Sequence, residues 1–163
     1  MGLATRRSAI ISSTPPERPA AFAGRTNLAP GRMLISIRPI ADCVFCAPAA
    51  DRIVAANELA FAVRDTSPVT ALHTLILPRR HVASYFDLDA TEDSAIRDLL
   101  TIVRTDIMAS DPDIEGFNVG INIGEVAGQT IFHCHVHLIP RRRGDVVNPR
   151  GGVRAVIPAK ANY

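Results

Sequence analysis

The chain has 163 residues, 47% of them hydrophobic and 21% charged, enough apolar matter for one domain with a substantial core. A formal net charge of +2 is too small to argue for nucleic-acid binding by bulk electrostatics, and no apolar run approaches the ~20 residues a membrane-spanning helix needs. Three cysteines, two of them in CVFC, do not make a secreted disulfide framework; they suit a reduced compartment, so the expected location is the cytoplasm.

Residues 1–38 hold Arg6, Arg7, Arg18, Arg25, Arg32 and Arg38 against one acid, Glu17, in a background of proline, alanine, serine and glycine. No apolar periodicity runs through them, and the composition predicts a disordered basic tail without the apolar centre of a secretory signal. Met33 offers an alternative start of translation beyond most of it. Residues 39–144 read as the folded domain and 145–163 as a C-terminal extension of open role.

Within the domain, CVFC is followed by a short polar segment. NELAFAVRDTSP then reads as a strand ending in a turn at Pro68, and HTLILP, residues 73–78, as a second strand. Asp89 and Glu92 stand at the spacing of a capping box. Ile96, Leu99, Leu100, Val103 and Ile107 recur at helical spacing, which predicts a helix of about five turns stopped by DPD. GFNVGINIG, residues 116–124, alternates, with Phe117, Val119, Ile121 and Ile123 on one face and Asn118, Gly120 and Asn122 on the other. The loop EVAGQ leads into IFHCHVHLI, and the two runs are expected to form an antiparallel hairpin. The fold class is therefore α+β, an antiparallel sheet with one main packed helix.

The chain has five histidines and places three of them at alternate positions between Ile131 and Ile139. Side chains two apart on a strand share a face. His133, His135 and His137 then lie on one side, and Phe132, Cys134, Val136 and Leu138 on the core side, with Pro140 closing the strand. Neutral imidazole is a good nucleophile toward phosphorus near pH 7, and flanking imidazoles can hold an anion. Just upstream, Gly128 permits close backbone approach, and Gln129 and Thr130 supply hydrogen-bonding groups. A metal competes for the same histidines. Cys43 and Cys46 have the C-x-x-C spacing that presents two thiolates to zinc. His81 and one member of the triad can complete four ligands, and spacing leaves open which member.

Smaller features have plainer readings. Cys134 is a core residue. His73 is a hydrogen-bonded residue at a strand start. Asp65 caps its turn before Pro68. Arg141, Arg142 and Arg143 form a solvated basic face, with attraction of an anionic nucleotide as the alternative.

HCHVHLIP matches the histidine-triad motif. With CVFC, RDTSPVT, HTLILPRRH and FNVGINIGEVAGQT in the same order, residues 42–144 resemble the HIT superfamily, especially bacterial members near the Hint and Fhit groups called diadenosine polyphosphate hydrolases. The resemblance implies a nucleotide hydrolase or nucleotidyl transferase acting at the α-phosphate of a phosphoanhydride or phosphoramidate. His135 corresponds to the nucleophile that forms a nucleotidyl-histidine, and His137 to the residue that contacts the phosphate and assists the leaving group. Asn122, Gly128, Gln129 and Thr130 correspond to the phosphate site, and Asp65 to the ribose contact. Cys43, Cys46, His81 and His133 correspond to structural zinc ligands. The resemblance also implies a purine nucleotide as partner, a homodimer, and neither nucleic-acid polymer nor membrane. A nucleotide-binding regulatory protein with little turnover is the alternative. Leu72 stands where many members have glycine, and an ordinary backbone conformation is expected for it.

Overall fold

Antiparallel pairing organises the structure, a computed structural model that describes residues 42–161; the basic segment 1–38 lies outside them. Strands β1 (Ile53–Ala56), β2 (Ala60–Arg64), β3 (Thr74–Pro78), β4 (Ile114–Gly120) and β5 (Val136–Arg142) form one sheet in the order β1-β2-β3-β5-β4. Every neighbouring pair is antiparallel. The sequence reading passes over β1, because IVAA is too short to show a period. The turn into β2 is made by Asn57, whose Oδ1 accepts from the backbone N–H of Leu59 and Ala60, while its Nδ2 donates to the carbonyl of Ala95.

Helix α1 (Ala90–Ser110) has 21 residues, a turn more than expected from its apolar spacing. Its capping box is present, with the Asp89 carboxylate accepting from Thr91 and Glu92 and the Glu92 carboxylate accepting from the Asp89 N–H. Glu92 is also buried, and Arg80 satisfies both its oxygens at 2.7 and 2.6 Å. Ile96, Leu99, Val103 and Ile107 of α1 pack against Ala60, Ala62, Ile76, Val136 and Leu138 of the sheet. The opposite sheet face carries a second cluster in which Phe45 of CVFC covers Phe61, Val63, Leu75 and Leu77. β3 is thus covered on both sides and fully buried, as its unbroken apolar run requires.

The register fixes the side on which the histidines lie. Leu75 pairs with His137 and Val119 with Leu138. His137 therefore faces away from α1, with Leu75, while Val136 and Leu138 face the helix. Boundaries differ from the sequence reading in three places, the first being β4, which ends at Gly120 rather than running on to Gly124. Pro140 does not end the histidine strand, which runs to Arg142; Pro140 pairs with Phe117 there. His133 and His135 precede β5, and Phe132 is half exposed rather than in the core. In the β3–β5 register Cys134 would face Pro78, which has no N–H to give, and the Cys134 N–H instead donates to the Val82 carbonyl at 2.6 Å.

Leu72 also departs from expectation. Its φ is +70°, the only positive value among described non-glycine residues, which costs an L-residue roughly 1–2 kcal/mol. Its surroundings hold it there: the Leu72 carbonyl accepts from Arg64 at 3.3 Å and from Thr74 at 2.8 Å, and its side chain packs against the core. No helix among the described residues is long and apolar enough to cross a membrane.

Candidate functional site

Three of the five histidines, with two more brought from elsewhere, form two adjoining groups. In the first, His133 donates Nε2–H to the Pro78 carbonyl at 2.9 Å. A carbonyl only accepts, so the His133 lone pair sits on Nδ1. That atom lies 3.6 Å from the sulfurs of both Cys43 and Cys46, and Cys46 Sγ lies 3.2 Å from His81 Nδ1. The four donor atoms all lie within 4.8 Å of one another. A tetrahedral ion with Zn–S near 2.3 Å and Zn–N of 2.0–2.1 Å sets sulfur and nitrogen about 3.5–3.6 Å apart. The four side chains therefore fit such an ion, with a second hydrogen bond already orienting His133.

His135 comes next. It is 8% exposed, and its Nδ1–H donates to the His133 carbonyl at 2.7 Å. By the same logic the lone pair of a neutral His135 is on Nε2. The backbone of one metal-ligand candidate thereby sets the tautomer of the next histidine. Phe45 meets the rings of His135 and His133 edge-on, at centroid distances of 5.3 and 6.2 Å.

The second group runs Asp65, His73, His137. His73 Nε2 lies 3.0 Å from His137 Nδ1. His73 Nδ1 has two neighbours of opposite demand: the Val69 N–H donates to it at 3.3 Å, and an Asp65 oxygen stands 3.3 Å away. Burial pulls the His73 pKa down, with Asp65 opposing. Burial, then the neighbouring His135 and His73, push His137 down to about 4. Both are neutral at pH 7. The neutral chain places the His73 proton on Nε2, donated to His137, and leaves the His137 proton on its own Nε2. That nitrogen is buried without a hydrogen-bond partner among the described residues, a condition that costs about 1–3 kcal/mol unless a bound molecule meets it. His135 and His137 rings lie 5.1 Å apart.

Asp65, His73, Asn122 and His137 line one cavity of about 710 Å³. Gly128, at φ +87°, brings its backbone beside Asn122, so that a Cβ there would lie 3.9 Å from Asn122 Nδ2. Gln129 is buried, and its side chain shapes the loop: Oε1 accepts from Gly124 at 2.8 Å, and Nε2 donates to Ala83 and Ile131 at 2.8 and 3.3 Å. Thr130 is exposed and lines a separate cavity of about 330 Å³ with Cys43 and His81. The arginine run is spent in ion pairs, Arg141 with Asp145, Arg142 with Asp111 and Arg143 with Glu115. The three also line a cavity of about 530 Å³ beside Asn118 and Gly152. Cys134 is a core residue, its thiol pushed up to about 11 by burial.

Sequence reasoning missed the partnership of His73 with His137 and the approach of Asp65 to both. The only local signal was that Asp65 and His73 stand at the two ends of the loop joining β2 to β3, where the Asp65 N–H donates to the His73 carbonyl at 3.0 Å.

A family model described as HIT domain matches residues 48–144. A zinc-bound histidine triad family protein from Mycobacterium smegmatis superimposes with a TM-score of 0.59 at 31% identity, covering 66% of this chain and 80% of that one. A HIT family protein from Bacillus anthracis gives a TM-score of 0.60 at 36% identity over 64% and 77% of the two chains. In sequence, the adenylylsulfatase HINT3 of Arabidopsis thaliana is 31% identical over 115 residues, 64% of this chain and 54% of that protein.

Proposed function

The chain belongs to the HIT domain family, and from that premise we propose that it is a nucleotide hydrolase or nucleotidyl transferase working through a covalent histidine intermediate. The observation that carries the reading is the pair of tautomers: His135 offers a lone pair on Nε2, beside a His137 whose buried Nε2–H has no partner. One group can attack phosphorus, and the other can donate to an oxygen or to a leaving group. The likeness to an adenylylsulfatase supports the same class. The substrate we favour is a phosphoanhydride such as a diadenosine polyphosphate, or a phosphoramidate, of a purine nucleoside.

In the first step the His135 Nε2 lone pair forms a bond to the α-phosphorus as the bond from phosphorus to the leaving group breaks. An anionic phosphate beside His137 favours the imidazolium and so opposes the burial that keeps it neutral in the free site. A proton taken up from solvent with the substrate leaves His137 with a proton on each nitrogen, and it hands the Nε2 proton to the leaving group. The two neighbours of His73 Nδ1 match the two states. Val69 donates to it in the resting state. When His137 is charged, His73 accepts on Nε2 and carries its own proton on Nδ1, toward Asp65. In the second step water attacks phosphorus, the bond to His135 breaks, and His137 takes a proton from the water. Asn122 and the loop carrying Gly128, Gln129 and Thr130 would position the phosphate, Gln129 by holding the loop. Asp65 would meet the ribose.

We also assign Cys43, Cys46, His81 and His133 to a structural zinc ion, which supplies no chemistry to the reaction and ties the CVFC segment to the approach to β5. The zinc-bound relative and the donor spacing support this. A homodimer is carried over from the family resemblance.

The test is a panel of adenosine 5′-phosphoramidate and diadenosine polyphosphates, quenched early and mapped by peptide mass spectrometry. A nucleotidyl group on His135 is the expected result. Binding without adduct or turnover would favour the regulatory alternative.

A further inference from the structure

The cavity that holds His137 has a wall from outside the matched domain. The family match ends at residue 144, yet Gly152, Val153, Ala155 and Val156 line the same cavity as Asp65, His73, Asn122 and His137. The chain is built to bring them there. After β5 it turns at Gly144, φ +86°. It then forms two short 3-10 turns, Gly152–Val156 and Pro158–Lys160. Gly151 has φ +88°, and a Cβ there would meet the Ala161 carbonyl oxygen at 2.0 Å, so only glycine closes this double turn on itself. Gly152, at φ +50°, seats against Asn118, whose Nδ2 would lie 3.5 Å from an added Cβ. Asn118 is held in turn by Arg141, at 2.5 Å. Two glycines and a fixed asparagine thus dock the extension on the histidine face of β4.

What the segment presents is apolar. Val153 and Val156 are 60% and 80% exposed, although a five-residue turn of this kind could carry polar side chains at no cost. The two valines face a cavity whose other lining combines His73, His137, Asp65 and Asn122 with Val69, Val119, Ile121 and Ile139, which matches a ligand that is polar in one part and flat and apolar in another. The cavity, at about 710 Å³, has room for such a molecule.

We infer that Gly152–Val156 is a substrate-recognition wall, with Val153 and Val156 packing on the nucleobase of the bound nucleotide. This rests on the nucleotide reading above. It assigns the extension a role in selecting substrate, separate from the histidine chemistry.

Calorimetry with AMP and with ribose 5-phosphate separates the two readings. In the full-length protein, V153S/V156S should weaken AMP roughly tenfold, the scale of two lost apolar contacts, while ribose 5-phosphate binds as before. Both positions are exposed, so the fold is not at risk, and an unchanged melting temperature confirms it. Ile157→Ser, next along the chain but outside the cavity lining, should leave AMP affinity in place. Unaltered AMP binding by V153S/V156S overturns the wall, as does an equal loss for both ligands or an equal loss in Ile157→Ser. A wild-type protein that binds neither ligand overturns the nucleotide reading, and the wall falls with it.

Discussion

Replacing Cys43 by alanine tests the metal assignment through stability. The substitution removes one of four donors from a cluster whose sulfur–nitrogen separations, 3.6, 3.6 and 3.2 Å, are close to those of a zinc tetrahedron. With free zinc about a thousandfold above its dissociation constant, the ion stabilises the fold by about 4 kcal/mol, and most of that is lost when affinity collapses. Little else holds the segment. Phe45, 8% exposed, covers Phe61, Val63, Leu75 and Leu77, a contribution of about 1.5–3 kcal/mol that loosens with its anchor. For a domain of this size a loss near 4 kcal/mol lowers the melting temperature by roughly 10–20 °C.

The assay is metal analysis of protein purified without chelator, followed by thermal melts of wild type and variant. About one zinc per chain is expected in the wild type and far less in Cys43→Ala. Turnover should fall as well, although Cys43 touches no substrate, because Phe45 packs against His135 at 5.3 Å. Cys134→Ala is the control: a core cysteine whose loss costs about 1 kcal/mol of packing without altering the zinc content. A wild type without metal, and a Cys43→Ala melt within a degree or two of it, would refute the reasoning.

His135→Ala should reduce turnover by several orders of magnitude, roughly the scale of a lost nucleophile, while AMP affinity measured by calorimetry changes little. His137→Gln should flatten the acid sensitivity of folding: the free-site pKa near 4 lies below the ordinary value of 6.5. The unfolded chain therefore binds a proton that the native one refuses, so stability falls as pH drops from 6.5 toward 4. The gap between the two melting temperatures should narrow as pH falls from 6.5 to 4 and stay constant above 6.5; an unchanged gap across that window would remove His137 as the cause. Asp65→Asn, which keeps the turn but cannot balance a charged His73, should lower kcat for phosphoramidates, whose leaving group needs the proton, more than for phosphoanhydrides. Leu72→Gly should shift stability by less than about 1 kcal/mol by chemical denaturation, since relief of the positive φ is offset by chain entropy and lost packing.

Features carried by one segment were legible in the chain. The capping box and the apolar stripe of α1 depend on neighbours within a few residues, and both appeared in the structure. Features set by distant partners were not. IVAA becomes β1 only because β2 offers its edge. The approach to β5 leaves the ladder where the Cys134 N–H finds the Val82 carbonyl in place of a β3 partner. Leu72 takes a glycine's conformation because Arg64 and Thr74 bond its carbonyl, and no leucine announces that in sequence. The candidate site divides the same way. The triad is visible as a spacing, but its protonation pattern depends on Pro78, Val69 and Asp65, none of which the spacing identifies.

The alternate spacing acquires a physical reason from this pattern. His133 turns its Nδ1 to the cysteines and gives its carbonyl to His135; His135 spends its Nδ1–H on that carbonyl and keeps Nε2 bare. A one-residue shift would send His135 to the helix side, among Val136 and Leu138. The proposed metal ligand two positions before the proposed nucleophile is therefore more than an economy of residues. Any ion that fixes the His133 backbone also fixes the direction of the His135 proton, so metal loading should be readable in the tautomer. The imidazole nitrogen shifts of His135 should report a single Nδ1–H form with zinc bound and a mixture after chelation. A His135 signal indifferent to zinc would separate the metal from the nucleophile and leave zinc with a role in stability alone.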